Sequence, residues 1–266
     1  KKSIHTGAIN KIQEIKMLKK CFLLSMIVAL SVLCVVPGCN KKSKDKLVIA
    51  TDATWPPMEF VDANKNIVGF DIDMLNAAAK EGGFKVEFIN QAWDGIFAGL
   101  AAGKYDAVIS SVTITDERKK TMDFSMPYIN AGQILVVKKE LKAMDKLAQF
   151  EGKKVGAQIG TTGAIEIKKF SKITAKEYDE IGLAMEDLAK GRIDAIVCDA
   201  PIAANFALQN DKYKAVLKIV GETFTSEEYG VAITKGNKEI VDLINSGLKK
   251  VKEKGIDKEL EKKWLR

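Results

Sequence analysis

The chain has 266 residues, 47% of them hydrophobic, which is enough for one large domain or two lobes and excludes a disordered tail. Its formal net charge is +7, but residues 1–46 carry ten lysines against two acidic residues, which leaves 32 basic and 33 acidic side chains elsewhere. Because this remainder is nearly neutral, we expect no nucleic-acid partner.

The N-terminal region has the pattern of an export signal. Two lysines precede an apolar run over residues 21–36, which is somewhat short for the ~20 residues of a membrane-spanning helix. Gly38 and Cys39 follow, and this ending resembles a bacterial lipoprotein cleavage site, where the new N-terminal cysteine receives lipid. We expect a leader and signal peptide over 1–38 and a lipidated linker over 39–46, with an uncleaved membrane anchor as the alternative. The product would be exported and lipid-anchored to a bacterial membrane, facing the periplasm or the cell exterior.

Cysteine and histidine positions limit the chemistry of the mature body. Cys21 and Cys34 leave with the leader and Cys39 would carry lipid, so Cys198 alone remains and no intramolecular disulfide can form. The one histidine, His5, also lies in the leader, which removes Ser–His, Cys–His and histidine–metal chemistry from the body. We therefore predict a protein without cofactor or metal that is not an enzyme.

From residue 47 onward, short apolar segments alternate with longer amphipathic ones, which is typical of an α/β protein. Runs of apolar residues predict buried strands, and apolar residues at helical spacing predict amphipathic helices. A glycine directly after a helical pattern predicts its end, because glycine tolerates the left-handed conformation. The predicted elements are strands over 47–51 and 84–88 and helices over 71–81, 94–102 and 237–254, the last two followed by Gly103 and Gly255.

Two distant segments share one pattern. Residues 100–111 and 188–199 each contain a helix end, a glycine, a short apolar strand and then polar residues. The strand openings at 46–52 and 154–161 resemble each other more faintly. The parallel predicts two similar α/β lobes, with a generic α/β repeat as the alternative.

The ends of the predicted strands collect the polar candidates. In open α/β sheets, ligands bind beyond the carboxyl ends of the strands, where loops and helix N-termini converge. Asp52 and Trp55 follow the first strand of one lobe, and Thr161 and Thr162 follow the first strand of the other. Asp199 follows a later strand. Two lobes that present such edges to each other define a cleft.

The body resembles a known family, the bacterial periplasmic polar amino-acid-binding proteins of ABC importers that bind glutamine, histidine or lysine and arginine (solute-binding protein family 3). The similarity covers essentially residues 46–266, and its motifs occur in family order. The matching stretches are 50–57 (ATDATWPP), 68–73 (VGFDID), 92–96 (AWDGI), 113–118 (TITDER), 123–128 (DFSMPY) and 160–163 (GTTG).

The resemblance implies a two-lobed, type II periplasmic-binding-protein-like α/β fold in which two hinge strands join the lobes. Lobe 1 would span 47–131 and lobe 2 would span 132–228, and 229–266 would return to lobe 1. The implied function is capture of a free L-amino acid by hinge closure and its delivery to an ABC transporter permease, by a monomer.

The resemblance also implies how the amino-acid backbone is bound. Arg118 would hold the α-carboxylate, because a guanidinium fork binds a carboxylate through two charge-assisted hydrogen bonds. Thr113 would add its hydroxyl and N–H, and Ser111 would lie near the α-ammonium. Asp199 would pair with the α-ammonium. A surface role for Arg118 and helix capping by Asp199 are the alternatives.

The remaining candidates would serve the second lobe and the ligand side chain. Thr161 and Thr162 would contact the carboxylate, or would cap their own helix. Trp55 and Trp93 would sandwich the ligand side chain, and the Pro-Pro after Trp55 indicates an exposed, rigid loop; Trp264 is interpreted as ordinary packing. The complete predicted ligand-binding set is Asp52, Trp55, Glu59, Trp93, Ser110, Ser111, Thr113, Arg118, Gln158, Thr161, Thr162 and Asp199.

The acidic residues around the first-lobe cleft favour a basic ligand. Asp52, Glu59 and Asp71 would meet a cationic side chain, so arginine is preferred, followed by lysine, histidine and glutamine; Asp71 could instead cap its own helix. Cys198 is interpreted as a small residue at the cleft edge without a reactive role. A ligand-sensing module and a dehydratase-type enzyme on the same fold are the alternative functions.

Overall fold

The computed structural model describes residues 46–266. The predictions for the leader and signal peptide and for lipidated Cys39 lie outside this part of the chain. Within residues 46–266, no helix is both long and apolar enough to cross a bilayer.

The described part of the chain alternates short strands with helices, as the sequence pattern predicts. The strands are β1 (Leu47–Thr51), β2 (Thr54–Trp55), β3 (Glu59–Val61), β4 (Ile67–Val68), β5 (Val86–Asn90), β6 (Ala107–Val108), β7 (Met122–Phe124), β8 (Ile129–Ala131), β9 (Gln133–Lys138), β10 (Lys154–Gln158), β11 (Thr174–Tyr178), β12 (Ala195–Asp199), β13 (Leu217–Val220), β14 (Glu227–Tyr229) and β15 (Ala232–Thr234). The helices are α1 (Phe70–Gly82), α2 (Ile96–Ala101), α3 (Asp116–Thr121), α4 (Thr162–Lys168), α5 (Ile181–Ala189), α6 (Ala200–Ala204), α7 (Lys238–Glu253) and α8 (Ile256–Trp264). A 3₁₀ turn (Leu147–Phe150) and a π-helical turn (Asn205–Gln209) complete the set.

Two five-stranded sheets follow the same plan. The first has the order β5-β1-β6-β15-β7, and the second has the order β11-β10-β12-β9-β13. In each sheet the first strand of the lobe, β1 or β10, pairs in parallel with both of its neighbours. On the other side, β15 in the first sheet and β9 in the second run antiparallel to both of their neighbours. The chain therefore has the two-lobed α/β fold that was predicted.

The internal repeat extends to individual hydrogen bonds. In the first lobe, the Val48 N–H donates to Asp106 Oδ2 (2.9 Å), and the Asp106 N–H donates to the Val48 carbonyl (2.8 Å). In the second lobe, the Lys154 N–H donates to Asp194 Oδ2 (2.8 Å), and the Asp194 N–H donates to the Lys154 carbonyl (2.8 Å). The two aspartates occupy equivalent places in the repeated segments. Each one makes the same pair of hydrogen bonds to the first strand of its own lobe.

Two antiparallel strands connect the sheets. The chain leaves the first sheet through β8 and returns through β14, and these strands pair with each other, with Ile129 opposite Tyr229. We propose that they are the hinge and that the lobe boundaries lie at residues 131/132 and 228/229.

Helices α1 and α7 cover the first sheet together. Ile240, Ile244, Leu248 and Val251 of α7 are buried at helical spacing, as predicted, which stabilises the fold by roughly 1.5–3 kcal/mol for each fully buried side chain. Gly247 allows the close approach of the two helices, because a Cβ there would lie 2.1 Å from the carbonyl oxygen of Ala78 in α1.

Two predicted boundaries shift by two residues. The helix expected from residue 94 begins at Ile96, because Gly95 adopts a left-handed conformation (φ 87°) that ends the preceding loop. The strand expected over 84–88 is β5, because the parallel register opposite Leu47 begins at Val86. Phe84 instead donates its N–H to the carbonyl of Ala79 (3.0 Å) and closes the end of α1.

Candidate functional site

All twelve predicted ligand-binding residues line one cavity between the two sheets. The space within the cavity and its opening to solvent measures about 320 Å³. Most of the residues that line the cavity lie at or beyond the carboxyl ends of β1, β5, β6, β10 and β12, as expected for an open α/β sheet, and Trp55 and Glu59 come from β2 and β3.

Arg118 points into the cavity from the first turn of α3. The Thr115 hydroxyl accepts the N–H of Arg118 (3.1 Å) and starts the helix there. The guanidinium lies 5.5 Å from the ring centre of Trp93 and 5.2 Å from that of Phe97, and its Nη1 donates to the Thr113 carbonyl (2.9 Å). Burial lowers the pKa of Arg118, and two nearby carboxylates oppose that shift. These contacts hold a cation in the wall of the cavity.

Asp199 lies at the end of β12 and is buried. It occupies the N-cap position of α6, but its side chain makes no capping hydrogen bond. Instead, Oδ1 accepts from the Tyr229 hydroxyl and from Gln133 Nε2 (3.0 Å). Burial raises the pKa of Asp199 to about 7, an effect that Glu227 reinforces and the Tyr229 hydroxyl opposes. Asp199 is therefore a poorly solvated acceptor that a cation would stabilise in its ionised form.

Glu227, from the predicted hinge strand β14, connects two predicted site residues. Its Oε2 accepts from the Thr113 hydroxyl (2.8 Å) and from the Thr162 hydroxyl (2.7 Å). Thr113 belongs to the first lobe and Thr162 to the second, so one carboxylate oxygen bridges them. Because each hydroxyl has a single proton, both threonines present oxygen lone pairs to the cavity in this arrangement.

Thr161 acts as a helix cap. Its hydroxyl accepts from the Ala164 N–H (3.3 Å) and donates to the Gln158 carbonyl (2.7 Å). The capping alternative therefore applies to Thr161, whereas the Thr162 hydroxyl is used by Glu227.

Asp52 and Gln158 also line the cavity. Gln158 Nε2 donates to Asp52 Oδ2 (2.9 Å) and to the carbonyl of Asp179 (2.8 Å). Since Asp52 follows β1 and Gln158 ends β10, this bond joins the two lobes. Arg118 Nη2 makes a second, longer contact of this kind with the Gly160 carbonyl (3.4 Å). Burial raises the pKa of Asp52, although its hydrogen bonds oppose the shift.

Trp55 forms a wall of the cavity and retains 6% of its surface exposed. The prediction of an exposed loop after it is wrong, because Pro57 is buried and its carbonyl accepts the Phe70 N–H (3.0 Å) at the start of α1. The loop is thus fixed against the first lobe by a backbone hydrogen bond.

Glu59 and Asp71 are both fully buried beside the cavity. Glu59 Oε1 accepts from the Ser110 hydroxyl (2.9 Å). Asp71 Oδ2 accepts from the Ser111 N–H (2.7 Å) and the Tyr128 hydroxyl (2.8 Å), so Asp71 does not cap its helix. Glu59 lines the cavity, whereas Asp71 is not one of the lining residues and contacts the lining residue Ser111.

Ser111 has an uncommon backbone conformation, with φ at 50°. A positive φ at a residue other than glycine is strained and is typical of functional sites. Its hydroxyl is buried without a hydrogen-bond partner within residues 46–266. The Ser111 hydroxyl is therefore available to a ligand.

Residues 47–266 match the family of bacterial extracellular solute-binding proteins, family 3. The chain belongs to this family. It is an extracytoplasmic amino-acid-binding protein of the ABC-importer type, and it is not an enzyme.

Individual members of the family are similar over most of the chain. A probable histidine-binding protein of Neisseria gonorrhoeae is 37% identical over 210 residues, which is 78% of each chain. An ancestral arginine-binding protein bound to arginine is 44% identical, with a TM-score of 0.79 over 84% of this chain and 99% of the other. An ancestral arginine-binding protein bound to glutamine is also 44% identical, with a TM-score of 0.78 over 83% of this chain and 98% of the other.

Three residues that hydrogen-bond to the cavity residues of this protein were not predicted from the sequence. Glu227, Tyr229 and Gln133 lie on hinge or sheet strands and reach the cavity residues through hydrogen bonds. The signal available in the sequence was a glutamate, Glu227, two residues before Tyr229 in a short strand, where alternation places both on the same buried face.

Two other interpretations concern residues away from the cavity. Cys198 lies in the hydrophobic core of the second lobe, not at the cleft edge, because β12 directs Asp199 and Cys198 to opposite faces. Trp264 packs edge-on against Phe60 and donates to Asp73 Oδ2 (2.8 Å), as expected for ordinary packing. Within residues 46–266, no cluster of three His, Cys, Asp or Glu side chains could hold a metal ion.

Proposed function

We propose that this protein binds a basic L-amino acid, with arginine preferred over lysine, histidine and glutamine. The observation that carries the proposal is the charge distribution along the cavity. Arg118, Asp199, Asp52 and Glu59 all line the cavity. We assign Arg118 and Asp199 to the ligand's α-carboxylate and α-ammonium, which leaves Asp52 and Glu59 for its side chain. A cationic side chain offsets the electrostatic cost of keeping these buried carboxyl groups ionised, whereas a second ligand carboxylate would repel them.

The aromatic walls support the same ligand. Trp55 and Trp93 both line the cavity, and the guanidinium of a bound arginine could lie against an indole face. Such a contact contributes ~0.5–2 kcal/mol, depending on desolvation. Glutamine remains in the series because its amide can donate to the same carboxylates, although it lacks the charge.

A thermal-shift screen of the common amino acids tests the proposal. A ligand present at 100 times its Kd stabilises the folded state by ~2.7 kcal/mol, so the tightest ligand gives the largest shift. We expect arginine to give the largest shift. Asp52→Asn should reduce the arginine shift more than the glutamine shift, while the exposed Asp116→Asn changes neither. A largest shift with glutamate or leucine, and none with arginine, would contradict the proposal.

We also propose that the exported protein is anchored through lipid on Cys39. The support is the Gly38-Cys39 ending of the apolar segment, followed by polar residues. Cys39→Ser should release the protein from the membrane fraction, whereas Cys34→Ser, a matched change within the leader, should leave it anchored. Retention of Cys39→Ser in membranes would favour an uncleaved anchor.

We further propose that the protein acts as a monomer, because one chain supplies every wall of the cavity. Light scattering should give the mass of a single chain with and without arginine. A stable dimer mass would contradict this proposal.

A further inference from the structure

The further inference rests on the proposed basic ligand and concerns the buried acidic pair beside the cavity. Glu59 and Asp71 each use one carboxylate oxygen to accept from neighbouring groups, Ser110 for Glu59 and Ser111 with Tyr128 for Asp71. The other two oxygens, Glu59 Oε2 and Asp71 Oδ1, are buried and accept from no donor within residues 46–266. The two carboxyl groups are close enough that each changes the pKa of the other.

Two adjacent carboxylates cannot both be ionised in such a place without a large electrostatic cost. One proton placed between the two unpartnered oxygens removes both the repulsion and the missing hydrogen bonds. Burial and the mutual repulsion raise the pKa of Glu59 well above its usual range, and burial raises that of Asp71 to about 6.

The surrounding groups reinforce retention of the proton. Asp52, beyond β1, adds a further negative charge that raises the pKa of Glu59. Tyr128 faces Asp71 from the segment after β7, and burial raises the pKa of its hydroxyl well above the usual value, so it stays neutral. The serine hydroxyl and N–H from the β6 loop carry no charge.

We propose that the Glu59–Asp71 pair holds one proton in the ligand-free protein and releases it when a cationic ligand side chain binds. In this step the O–H bond of the Glu59 carboxyl breaks, its electron pair stays on the carboxylate, and the proton goes to the buffer. The ligand guanidinium keeps all its protons and neutralises the new negative charge. A neutral ligand side chain gives no such compensation, so it leaves the proton in place.

The pair is therefore a specificity device whose effect depends on pH. The deprotonated pair binds a cation better than the protonated pair, so arginine affinity rises with pH, by at most about tenfold per pH unit for one full proton. Asp199 complicates the measurement, because every amino acid brings an α-ammonium to that carboxylate, whose pKa is also raised to about 7. The difference between arginine and glutamine removes this shared contribution.

Calorimetric titration in phosphate and in Tris, two buffers with different ionisation enthalpies, measures the protons released at pH 7. We expect arginine to release more protons than glutamine, and arginine affinity to rise more steeply than glutamine affinity from pH 6 to pH 8. Glu59→Gln should abolish the difference, since its amide can still accept from Ser110 and donate to Asp71. Glu87→Gln, a change at an exposed carboxylate of β5, should preserve it.

The outcomes separate this inference from the proposed function. Equal proton release by arginine and glutamine in the unaltered protein would overturn the proton-release proposal and leave basic-ligand binding intact. Failure of arginine and lysine to bind at all would overturn both. Circular dichroism reports whether Glu59→Gln is folded, and Asp71→Asn is the second variant; if neither folds, the comparison in the unaltered protein decides alone.

Discussion

Arg118→Ala tests the central feature of the site, the fixed cation in the wall of the cavity. Hydrogen bonds to a charged group contribute ~1.5–3 kcal/mol each, so loss of a bidentate pair weakens ligand binding by ~3–6 kcal/mol. That corresponds to an increase in Kd of about 10²- to 10⁴-fold. The ligand-free fold should lose the contacts with Trp93 and Phe97, worth ~0.5–2 kcal/mol, and the hydrogen bonds to the carbonyls of Thr113 and Gly160, worth ~0.5–1.5 kcal/mol each.

Calorimetric titration with arginine and circular dichroism measure the two effects separately. Arg118→Lys keeps the charge but loses the planar fork, so its affinity should fall between those of Arg118 and the alanine variant. Arg192→Ala is the matched control, because Arg192 is an exposed arginine of the second lobe that pairs with Asp187. Binding by Arg118→Ala within tenfold of the unaltered protein, with intact circular dichroism, would refute the assignment of Arg118.

Three further changes test the electrostatics and the closure of the site. Because the raised pKa of Asp199 is about 7, amino-acid binding should weaken as pH falls below 7, while the ligand-free fold loses stability as pH rises from about 4 through 7. Asp199→Asn should abolish binding and reduce that loss, as thermal melts at pH 5 and pH 8 would report; an unchanged difference between the two melts contradicts it. Glu227→Gln removes a charge that raises the pKa of Asp199, so titrations across pH 5 to 8 should show the binding midpoint at lower pH, and a higher midpoint argues against the coupling. Gln158→Ala removes the bond to Asp52 between the lobes and should speed ligand dissociation about 3- to 10-fold in stopped-flow measurements, given ~0.5–1.5 kcal/mol per hydrogen bond; an unchanged rate speaks against that bond as a closure contact.

The location of the cavity could be predicted from sequence because strand ends are recognisable. Asp52 and Asp199 each follow an apolar run, and the carboxyl ends of parallel strands meet at one edge of a sheet. The repeated pattern further predicted that two such edges exist. Both inferences depend on local patterns, which is why they did not require knowledge of distant contacts.

Element boundaries were harder to predict because neighbouring elements decide them. The hydrophobic alternation over 84–88 continues into β5, and only pairing with β1 determines that the ladder begins at Val86. Likewise, no local pattern predicts that Pro57 is buried or that its carbonyl accepts a hydrogen bond from the Phe70 N–H. Tertiary contacts outweighed local preference at both places.

The direction of the hydrogen bonds is the part of the site that sequence could not supply. Thr113 was expected to offer its hydroxyl to the ligand carboxylate, but that proton is donated to Glu227, 114 residues away. Thr162 donates to the same oxygen. Because Glu227 is the acceptor for both, neither hydroxyl can donate to an anion without breaking its present bond, so the positive charge of Arg118 becomes more important for the ligand carboxylate. The sequence therefore predicted which side chains line the cavity. The buried carboxylate of Glu227 in β14 determines the direction in which the two threonine hydroxyls donate.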